Sequence, residues 1–453
     1  MSSFLRAHRV RPAYTCILKP SFSRSLTTTQ RSMEDTFRAA CKNKIIPGAV
    51  LLATDKSGTF NYSNVFGARS LEHPRSEPLS VDATMWIASC TKLFTSIAIL
   101  QCVERGLFTL DEDVRHVLTE LNDIDVLTGI NGSAIESKKN SLPITLRQLL
   151  SHTSGFAYEF NSPLLQQWRK LQPQYNRRPP ISVHNRFLHP LLYDPGSSWS
   201  YGPSIDWAGV LIERLTGLSL QDYMAQNIWQ PLGITDMTFF LSGRDDLRAR
   251  VASMSKREPY ETSDNPTAKS TSVHAPEYQY CFNPDMADCQ GGGGVFGSPV
   301  EYIKVLRALL LASDAPDVRP VPPKQLLHRS SVDAMFTPQL GGESQKALQA
   351  VAEIPRYNYM MGGMPPDTRK DWGLGGLLVM DDIAGWRSKG TMTWGGTPNL
   401  TWWIDRKVGL CGLYASQLMP IGDAKSVELE KVFEKAMYER YRQHVADQND
   451  CTD

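Results

Sequence analysis

The spacing of apolar and polar positions changes early in the 453-residue chain. Charged and apolar residues follow each other at helical spacing from Glu34, with acid in the opening turn, so a first helix is predicted to begin near Met33. Two apolar runs, at 49–54 and 59–67, then flank turn residues at 55–58, which predicts a β-hairpin. Helix and strand therefore both occur at the start of the fold.

The middle of the chain has the pattern of helices separated by polar, proline-containing loops. Residues 92–103 are apolar on nearly every face, as expected of a helix buried inside a large domain, and Gly106 is predicted to end it. Between Leu110 and Gly291, helices are predicted most clearly at 145–150, 207–215 and 220–229. A mainly helical lobe is the expected result.

The last third of the chain returns to short β-type runs. A helix is predicted at 301–311, and a final helix with mixed charges from Ser426 to about His444. Between these helices, runs separated by turn residues predict an antiparallel meander with strands at 377–381, 389–394, 400–405 and 408–415. The final helix is expected to pack on that sheet.

Composition and charge limit the class of protein. With 41% hydrophobic and 21% charged residues the chain is an ordinary globular protein, and no apolar run approaches the roughly 18 residues of a spanning helix. Residues 1–33 contain basic residues and no acid, which predicts a disordered leader, either a mitochondrial presequence or an untargeted tail. The remainder is net acidic, so nucleic acid is not an expected partner.

The cysteines indicate the compartment. Eight cysteines show neither C-x-x-C spacing nor the density of a disulfide scaffold, and no secretory apolar region follows the basic start. We therefore expect free thiols in a reducing, intracellular compartment, mitochondrial or cytoplasmic, and no structural zinc.

The most informative short pattern is Ser89-Cys90-Thr91-Lys92, at the start of the predicted buried helix. Ser89 and Lys92 share a helical face. A serine hydroxyl needs a neighbouring base, and a lysine in apolar surroundings loses proton affinity, so Lys92 can serve as that base. Alone, the pattern also fits an N-capping serine followed by a lysine that reaches solvent, and a second copy occurs at 253–256 in a polar stretch.

Two later segments strengthen the catalytic interpretation. Tyr201 lies on a loop that enters a predicted helix, where a phenol can relay a proton, although a lone tyrosine is more often simply buried. Trp394-Gly395-Gly396 lies on a predicted strand and turn, where paired glycines let the backbone approach a substrate closely. The alternative for this second segment is a plain hairpin turn.

The order of these patterns resembles the superfamily of serine β-lactamases, D-alanyl-peptidases and family VIII esterases. The segments Leu146–Gly155 and Gly291–Pro299 resemble those that these proteins carry between the first two motifs and before the third. The resemblance covers about residues 34–440. Within the superfamily, Tyr201-Gly-Pro followed by Ser-Ile-Asp-Trp-Ala-Gly, with the late Trp-Gly-Gly, is most similar to fungal polyketide acyltransferases of the type that attaches a statin side chain.

The resemblance implies a β-lactamase/transpeptidase-like α/β (α+β) fold, an antiparallel sheet flanked by helices with an inserted, mainly helical lobe. Residues 34–88 and 300–453 would form the α/β domain, and 89–299 the helical lobe. The active site would lie at the boundary between them.

The resemblance also implies roles for single residues. Ser89 would form the acyl-enzyme, Lys92 would take its proton, and Tyr201 would help to deprotonate the incoming acceptor. The backbone N–H groups of Ser89 and Thr397 would form the oxyanion hole.

Substrate contacts are expected from Trp394, Gly395 and Gly396, with Arg186 as a weaker candidate that is otherwise an exposed charge. Trp394 replaces the lysine or histidine of the β-lactamase pattern, so a substrate carboxylate loses its cationic partner, and Pro203 replaces an asparagine whose amide contacts substrate. β-Lactam and peptide substrates are therefore disfavoured. Trp394, with Trp402 and Trp403, could line an apolar acyl pocket or belong to the core.

Two further candidates are weaker. Gly292–Gly297 fits G-x-G-x-x-G, but no convincing strand precedes it, so a dinucleotide is not expected. His152 has no G-x-S-x-G nucleophile to serve and is interpreted as structural. No metal or organic cofactor is implied.

The predicted function is acyl transfer in two steps, in fungal secondary metabolism. An ester or thioester donor, possibly bound to a carrier protein, would acylate Ser89, and an alcohol acceptor would then take the acyl group. The alternatives are an esterase with the same Ser-Lys-Tyr machinery and a catalytically inactive mitochondrial scaffold.

Overall fold

The computed structural model describes residues 28–72, 76–172, 182–257, 273–274, 286–314 and 325–450. The helices are α1 Thr28–Lys42, α2 Thr91–Glu104, α3 Leu146–Leu150, α4 Pro163–Lys170, α5 Val183–Phe187, α6 Ser204–Thr216, α7 Leu220–Met224, α8 Asp245–Arg248, α9 Pro299–Ala312, α10 Arg329–Met335, α11 Gly342–Glu353, α12 Pro355–Met360 and α13 Ala424–Asn449. The strands are β1 Gly48–Asp55, β2 Asn61–Gly67, β3 Met85–Trp86, β4 Asp125–Asn131, β5 Ala134–Lys139, β6 Met237–Thr238, β7 Ser255–Arg257, β8 Val273–His274, β9 Phe296–Gly297, β10 Lys370–Trp372, β11 Leu377–Val379, β12 Met392–Gly396, β13 Leu400–Asp405, β14 Leu410–Ala415 and β15 Leu418–Met419.

An antiparallel sheet is the centre of the fold. Over the described residues its strand order is β10-β11-β12-β13-β14-β1-β2. The two ends of the chain meet where β1 pairs with β14, with Val50 opposite Ala415. Every residue of β1 is buried, so both faces of the sheet are covered, by α9 on one side and by α1 with α13 on the other.

Helix α2 is the buried helix that the sequence predicts. Its side chains are buried from Thr91 to Cys102, because it packs between the sheet region and the helices α6 and α7. Gly106 has a φ of +71°, a left-handed conformation that glycine adopts without steric cost, directly after the helix ends. The predicted helix and its predicted end are confirmed.

The predicted strands also occur. The hairpin of β1 and β2 pairs Gly48 with Gly67, and the predicted meander corresponds to β11 through β14. The sequence did not indicate β10, which is only three residues long. β12 continues through Gly395 and Gly396, which pair with Thr401 and Leu400 and were expected in a turn.

The structure differs from the sequence expectations at two places. The first helix begins at Thr28, so residues 28–33 are helical and not a disordered leader; no glycine or proline interrupts this stretch, and Met33 is buried. Residues 1–27, with the rest of the predicted presequence, lie outside the described residues. Within the mainly helical lobe, β4 and β5 form a hairpin that was not predicted, although Asn131-Gly132 at its turn is a strong hairpin signal.

Nothing among the helices of the described ranges is both long and apolar enough to cross a membrane.

Candidate active site

Ser89 lies in a short 3₁₀ turn, Ala88–Cys90, directly before α2. Ala88 has a φ of +45°, a left-handed conformation that costs energy in a residue with a side chain, so the turn that carries Ser89 is strained. β12 passes close by: a Cβ at Gly396 would overlap the carbonyl oxygen of Ile87. Glycine at 396 therefore lets the strand approach Ser89.

Lys92 is held in one position beside Ser89. Its side chain is 3% exposed, and Nζ lies 3.3 Å from Ser89 Oγ, 3.1 Å from the Tyr158 hydroxyl and 2.6 Å from the Gly292 carbonyl oxygen. An ammonium group has three N–H donors, and these three oxygens match them. Nζ also lies 4.8 Å from the centroid of the Tyr201 ring.

Tyr201 reaches Ser89 from the opposite side. Its hydroxyl donates to Ser89 Oγ at 2.8 Å, and the indole N–H of Trp394 donates to the Tyr201 oxygen at 3.2 Å. The structure thus brings Tyr201 and Trp394, which lie far away in the sequence, to Ser89 and Lys92.

Two residues that the sequence did not indicate, Tyr158 and Asp206, extend the hydrogen-bond network around Lys92. The Tyr158 hydroxyl, which contacts Lys92 Nζ, donates to Asp206 Oδ2 at 3.3 Å, and the Gly292 N–H donates to Asp206 Oδ1 at 2.9 Å. A Cβ at Gly292 would overlap the Asp206 carboxylate, which explains a glycine at this position. Asp206 occurs in the first turn of α6, five residues after Tyr201, and this was the available signal.

Burial and neighbouring charges set the electrostatics of this group. Burial raises the pKa of Asp206, and the charge of Lys92 is the largest opposing cause. Burial raises the pKa of the Tyr158 hydroxyl well above its usual value, and the Asp206 charge adds to the effect. Arg186, on α5, acts from a distance by lowering both pKa values. Its contact with substrate stays a prediction.

His152 fixes the loop that carries Tyr201. Its carbonyl oxygen accepts from the Ser200 N–H at 3.1 Å and its Nδ1 from the Gly202 N–H at 3.4 Å, one on each side of Tyr201. The His152 and Tyr201 rings lie 4.9 Å apart. Burial, reinforced by the charge of Lys92, holds the pKa of His152 well below its usual value, so the imidazole is neutral. These contacts agree with the structural interpretation of His152.

Two cavities meet at this group. The narrow branch, of about 20 Å³, is lined by residues that include Ser89, Tyr201, Trp394, Gly395, Thr401 and Glu430. The wide cavity, of about 300 Å³, is lined by residues that include Trp199, Tyr201, Ile354, Tyr357, Met360 and Trp394. Ser89 lines only the narrow branch, whereas Tyr201 and Trp394 line both.

The remaining candidates lie near these cavities or in the core. Thr397 is partly exposed directly after β12, and its role in an oxyanion hole stays a prediction. Trp402 and Trp403 are each 1% exposed, line neither cavity, and belong to the core, where Trp403 packs on Phe433.

Comparison with known proteins gives a consistent result. The Beta-lactamase family profile matches residues 33–435. The chain is 41% identical to monacolin J acid methylbutanoyltransferase of Aspergillus terreus, over 91% of this chain and 96% of that protein. It is 37% identical to lovastatin esterase of Penicillium rubens, over 90% and 98% of the two chains. A solved structure of simvastatin synthase (LovD) from Aspergillus terreus superposes with a TM-score of 0.81 at 38% identity, covering 92% of this chain and 100% of that one.

These similarities extend over nearly the whole folded part of the chain. They confirm the predicted β-lactamase/transpeptidase-like fold and the predicted enzyme class, a serine enzyme of acyl transfer or ester hydrolysis. The chain belongs to the β-lactamase family, among relatives that include fungal acyltransferases of statin biosynthesis.

Proposed function

We propose that this chain is a serine acyltransferase that moves a short acyl group from an ester or thioester donor, through Ser89, to the hydroxyl group of a polyketide acceptor. The observation that carries the proposal is the hydrogen bonding at Ser89 Oγ, where the Tyr201 hydroxyl lies at 2.8 Å and Lys92 Nζ at 3.3 Å. The methylbutanoyltransferase activity named for a 41% identical relative supports the same reaction.

In the first step, Ser89 Oγ attacks the donor carbonyl while its proton passes to Lys92. The carbonyl oxygen becomes an oxyanion that accepts hydrogen bonds from the backbone N–H groups of Ser89 and Thr397. When the intermediate collapses, the bond to the leaving alkoxide or thiolate breaks, and the leaving group takes a proton from Lys92. Asp206 and Tyr158 hold the ammonium form between these transfers, through the contacts of Tyr158 and Gly292 with Nζ.

In the second step, the acceptor hydroxyl attacks the acyl-enzyme. Tyr201 lies where both cavities meet and hydrogen-bonds to Ser89 Oγ, so it can take the acceptor's proton and return one to the serine oxygen.

The two cavities divide the substrates between them. The acyl group must occupy the narrow branch, because it is bonded to Ser89 Oγ and Ser89 lines only that branch. A volume of about 20 Å³ is enough for roughly one water-sized group, which favours short acyl chains. Longer chains would displace Met360, whose unbranched side chain adapts readily. The wide, largely apolar cavity suits the larger acceptor.

The second candidate is an esterase with the same residues, which the 37% identity to lovastatin esterase favours. The partition of the acyl-enzyme distinguishes the two. Wild-type protein would be given the N-acetylcysteamine thioester of butanoic acid, with and without a polycyclic polyketide alcohol, and products would be measured by chromatography. We expect ester to form with the alcohol, and free acid to form slowly without it. Free acid at the same rate in both cases would establish the esterase.

A third outcome of that experiment bears on the scaffold alternative. Absence of both ester and free acid with folded protein would favour the inactive scaffold and overturn both enzymatic candidates.

A further inference from the structure

Glu430 lies in the narrow branch, and no step above uses it. It belongs to α13, on the face of the sheet opposite α9, and its side chain is 5% exposed. Gly395 is opposite Thr401 in the paired strands β12 and β13. Gly395, Thr401 and Glu430 all line the narrow branch. Glu430 and Thr401 therefore line the same branch as Ser89.

The charges around Glu430 are already paired. Arg387 donates two hydrogen bonds of 2.8 Å to Glu434, and Arg257 is bonded to Asp423, with one contact at 2.9 Å. Both ion pairs are buried. Three carboxyl groups therefore face two guanidinium groups, and Glu430 is the carboxyl without an ion-pair partner in the described part of the chain.

The hydrogen bonding of Glu430 is incomplete. The Thr401 hydroxyl donates to Oε2 at 2.9 Å, and among the described residues this is the one hydrogen-bond partner of the carboxyl group. The other oxygen is available to a ligand in the narrow branch.

Burial keeps Glu430 neutral under ordinary conditions. Burial raises its pKa to about 8; the Thr401 hydrogen bond and the charge of Arg387 oppose this, and the charges of Glu434 and Asp423 add to it. At neutral pH the group is therefore mostly a carboxylic acid, which can both donate and accept a hydrogen bond.

We propose that Glu430 determines acyl specificity: its carboxyl group hydrogen-bonds a hydroxyl substituent on a short, uncharged acyl chain carried by Ser89, and it disfavours chains that end in a carboxylate. This inference rests on the proposed acyl transfer and names the class of donor. A purely apolar chain leaves a polar oxygen of Glu430 buried without a partner, which is costly. A chain that ends in a carboxylate meets the carboxyl group of Glu430, while Arg387 and Arg257 already form ion pairs with Glu434 and Asp423, so burying this carboxylate is costlier.

The test compares N-acetylcysteamine thioesters of 3-hydroxybutanoic, butanoic and succinic acid. The rate of acyl-enzyme formation on Ser89 would be followed by intact-protein mass spectrometry. For wild-type protein we expect the 3-hydroxybutanoyl thioester to react about tenfold faster than the butanoyl thioester, and the succinyl thioester at least about tenfold slower. Comparable rates for all three would overturn the inference, whereas no adduct from any of them would contradict the acyl transfer itself.

Variants at Glu430 show whether this residue causes the preference for the hydroxylated acyl chain. Glu430→Gln keeps a donor and an acceptor and should keep the preference for the hydroxylated chain, whereas Glu430→Met should remove it. Glu439→Met, at an exposed glutamate of the same helix, is the matched control and should behave as wild type. If Glu430→Met does not fold, Glu430→Asp, which withdraws the carboxyl by one methylene, should reduce the preference at least about threefold. An unchanged preference in a folded Glu430→Met or Glu430→Asp protein would overturn the role of Glu430.

Discussion

Two buried carboxyl groups flank Ser89, Asp206 on the helical side and Glu430 on the sheet side. They are 1% and 5% exposed, and burial raises the pKa of each. Asp206 accepts hydrogen bonds from Gly292 and Tyr158, and the charge of Lys92 acts on it directly. Glu430 has one hydrogen bond, from a hydroxyl group. The same type of side chain at similar burial can therefore support a charged catalytic group in one place and present a neutral recognition group in another.

Loss of the cation on the helical side should have the largest effect. Lys92→Met removes the base but preserves much of the apolar stem, so we expect a folded protein that forms acyl-enzyme at least about 10²-fold more slowly. Rates with p-nitrophenyl butanoate would measure this. Lys256→Met, in the second Ser-x-x-Lys sequence, is the control and should keep wild-type activity. An active Lys92→Met protein would contradict the role of Lys92.

The sheet side should discriminate against anionic substrates. The Trp394 N–H is already bonded to Tyr201, so a β-lactam carboxylate finds no charge-assisted partner there, an interaction typically worth about 1.5–3 kcal/mol. We expect benzylpenicillin to acylate Ser89 at least about tenfold more slowly than p-nitrophenyl butanoate, measured by intact mass. Faster acylation by the penicillin would assign the pocket to a β-lactamase or peptidase.

Asp206→Asn tests whether acylation of Ser89 requires the negative charge of Asp206 or only a side chain of the same size that can form hydrogen bonds. The amide keeps the size of the side chain but removes the negative charge that faces Lys92 through Tyr158 and Gly292. We expect acylation about tenfold slower, on the scale of one hydrogen bond to a charged group. The exposed Asp245→Asn is the matched control. Wild-type rates in Asp206→Asn would show that shape alone suffices.

Glu430→Gln should change the pH dependence of stability. Glu430 has a folded pKa of about 8 against an ordinary value of 4.5, so the folded state holds a proton that the unfolded state has lost, and stability falls as pH rises between these values. As pH rises from 7 to 9, ionisation of Glu430 should lower the free energy of unfolding of the wild-type protein by about 1 kcal/mol. The Glu430→Gln protein should not show this decrease.

Urea unfolding at both pH values, with Glu439→Gln as control, measures this difference. Arg387, Glu434, Asp423, Cys90 and Tyr414 interact electrostatically with Glu430, so the difference in slope reports the titration of Glu430 together with its coupling to these groups. Equal slopes in the Glu430→Gln and wild-type proteins would show that Glu430 is already ionised at pH 7.

The contrast between the two sides also shows what the sequence can predict. Ser89 and Lys92 are three residues apart on one helix, so local geometry alone predicts their contact. Tyr201 and Trp394 required the family resemblance, because only the fold brings them to Ser89. Tyr158 joins the site through its own hydroxyl, and Asp206 joins it through that hydroxyl and through the backbone of Gly292, which no side-chain pattern in the sequence indicates. Glu430 reaches the cleft because α13 packs on the sheet and Thr401 of β13 hydrogen-bonds to it, and nothing in its local sequence indicates this.

Acylation of Ser89 tests the central claim most directly. Protein incubated with p-nitrophenyl butanoate would be examined by intact-protein mass spectrometry and peptide mapping, alongside Ser89→Ala. We expect one butanoyl group on the peptide that contains Ser89, its loss with formation of the corresponding ester when an alcohol acceptor is added, and no adduct on Ser89→Ala. A folded wild-type protein without an adduct, or with the adduct at another residue, would contradict the account.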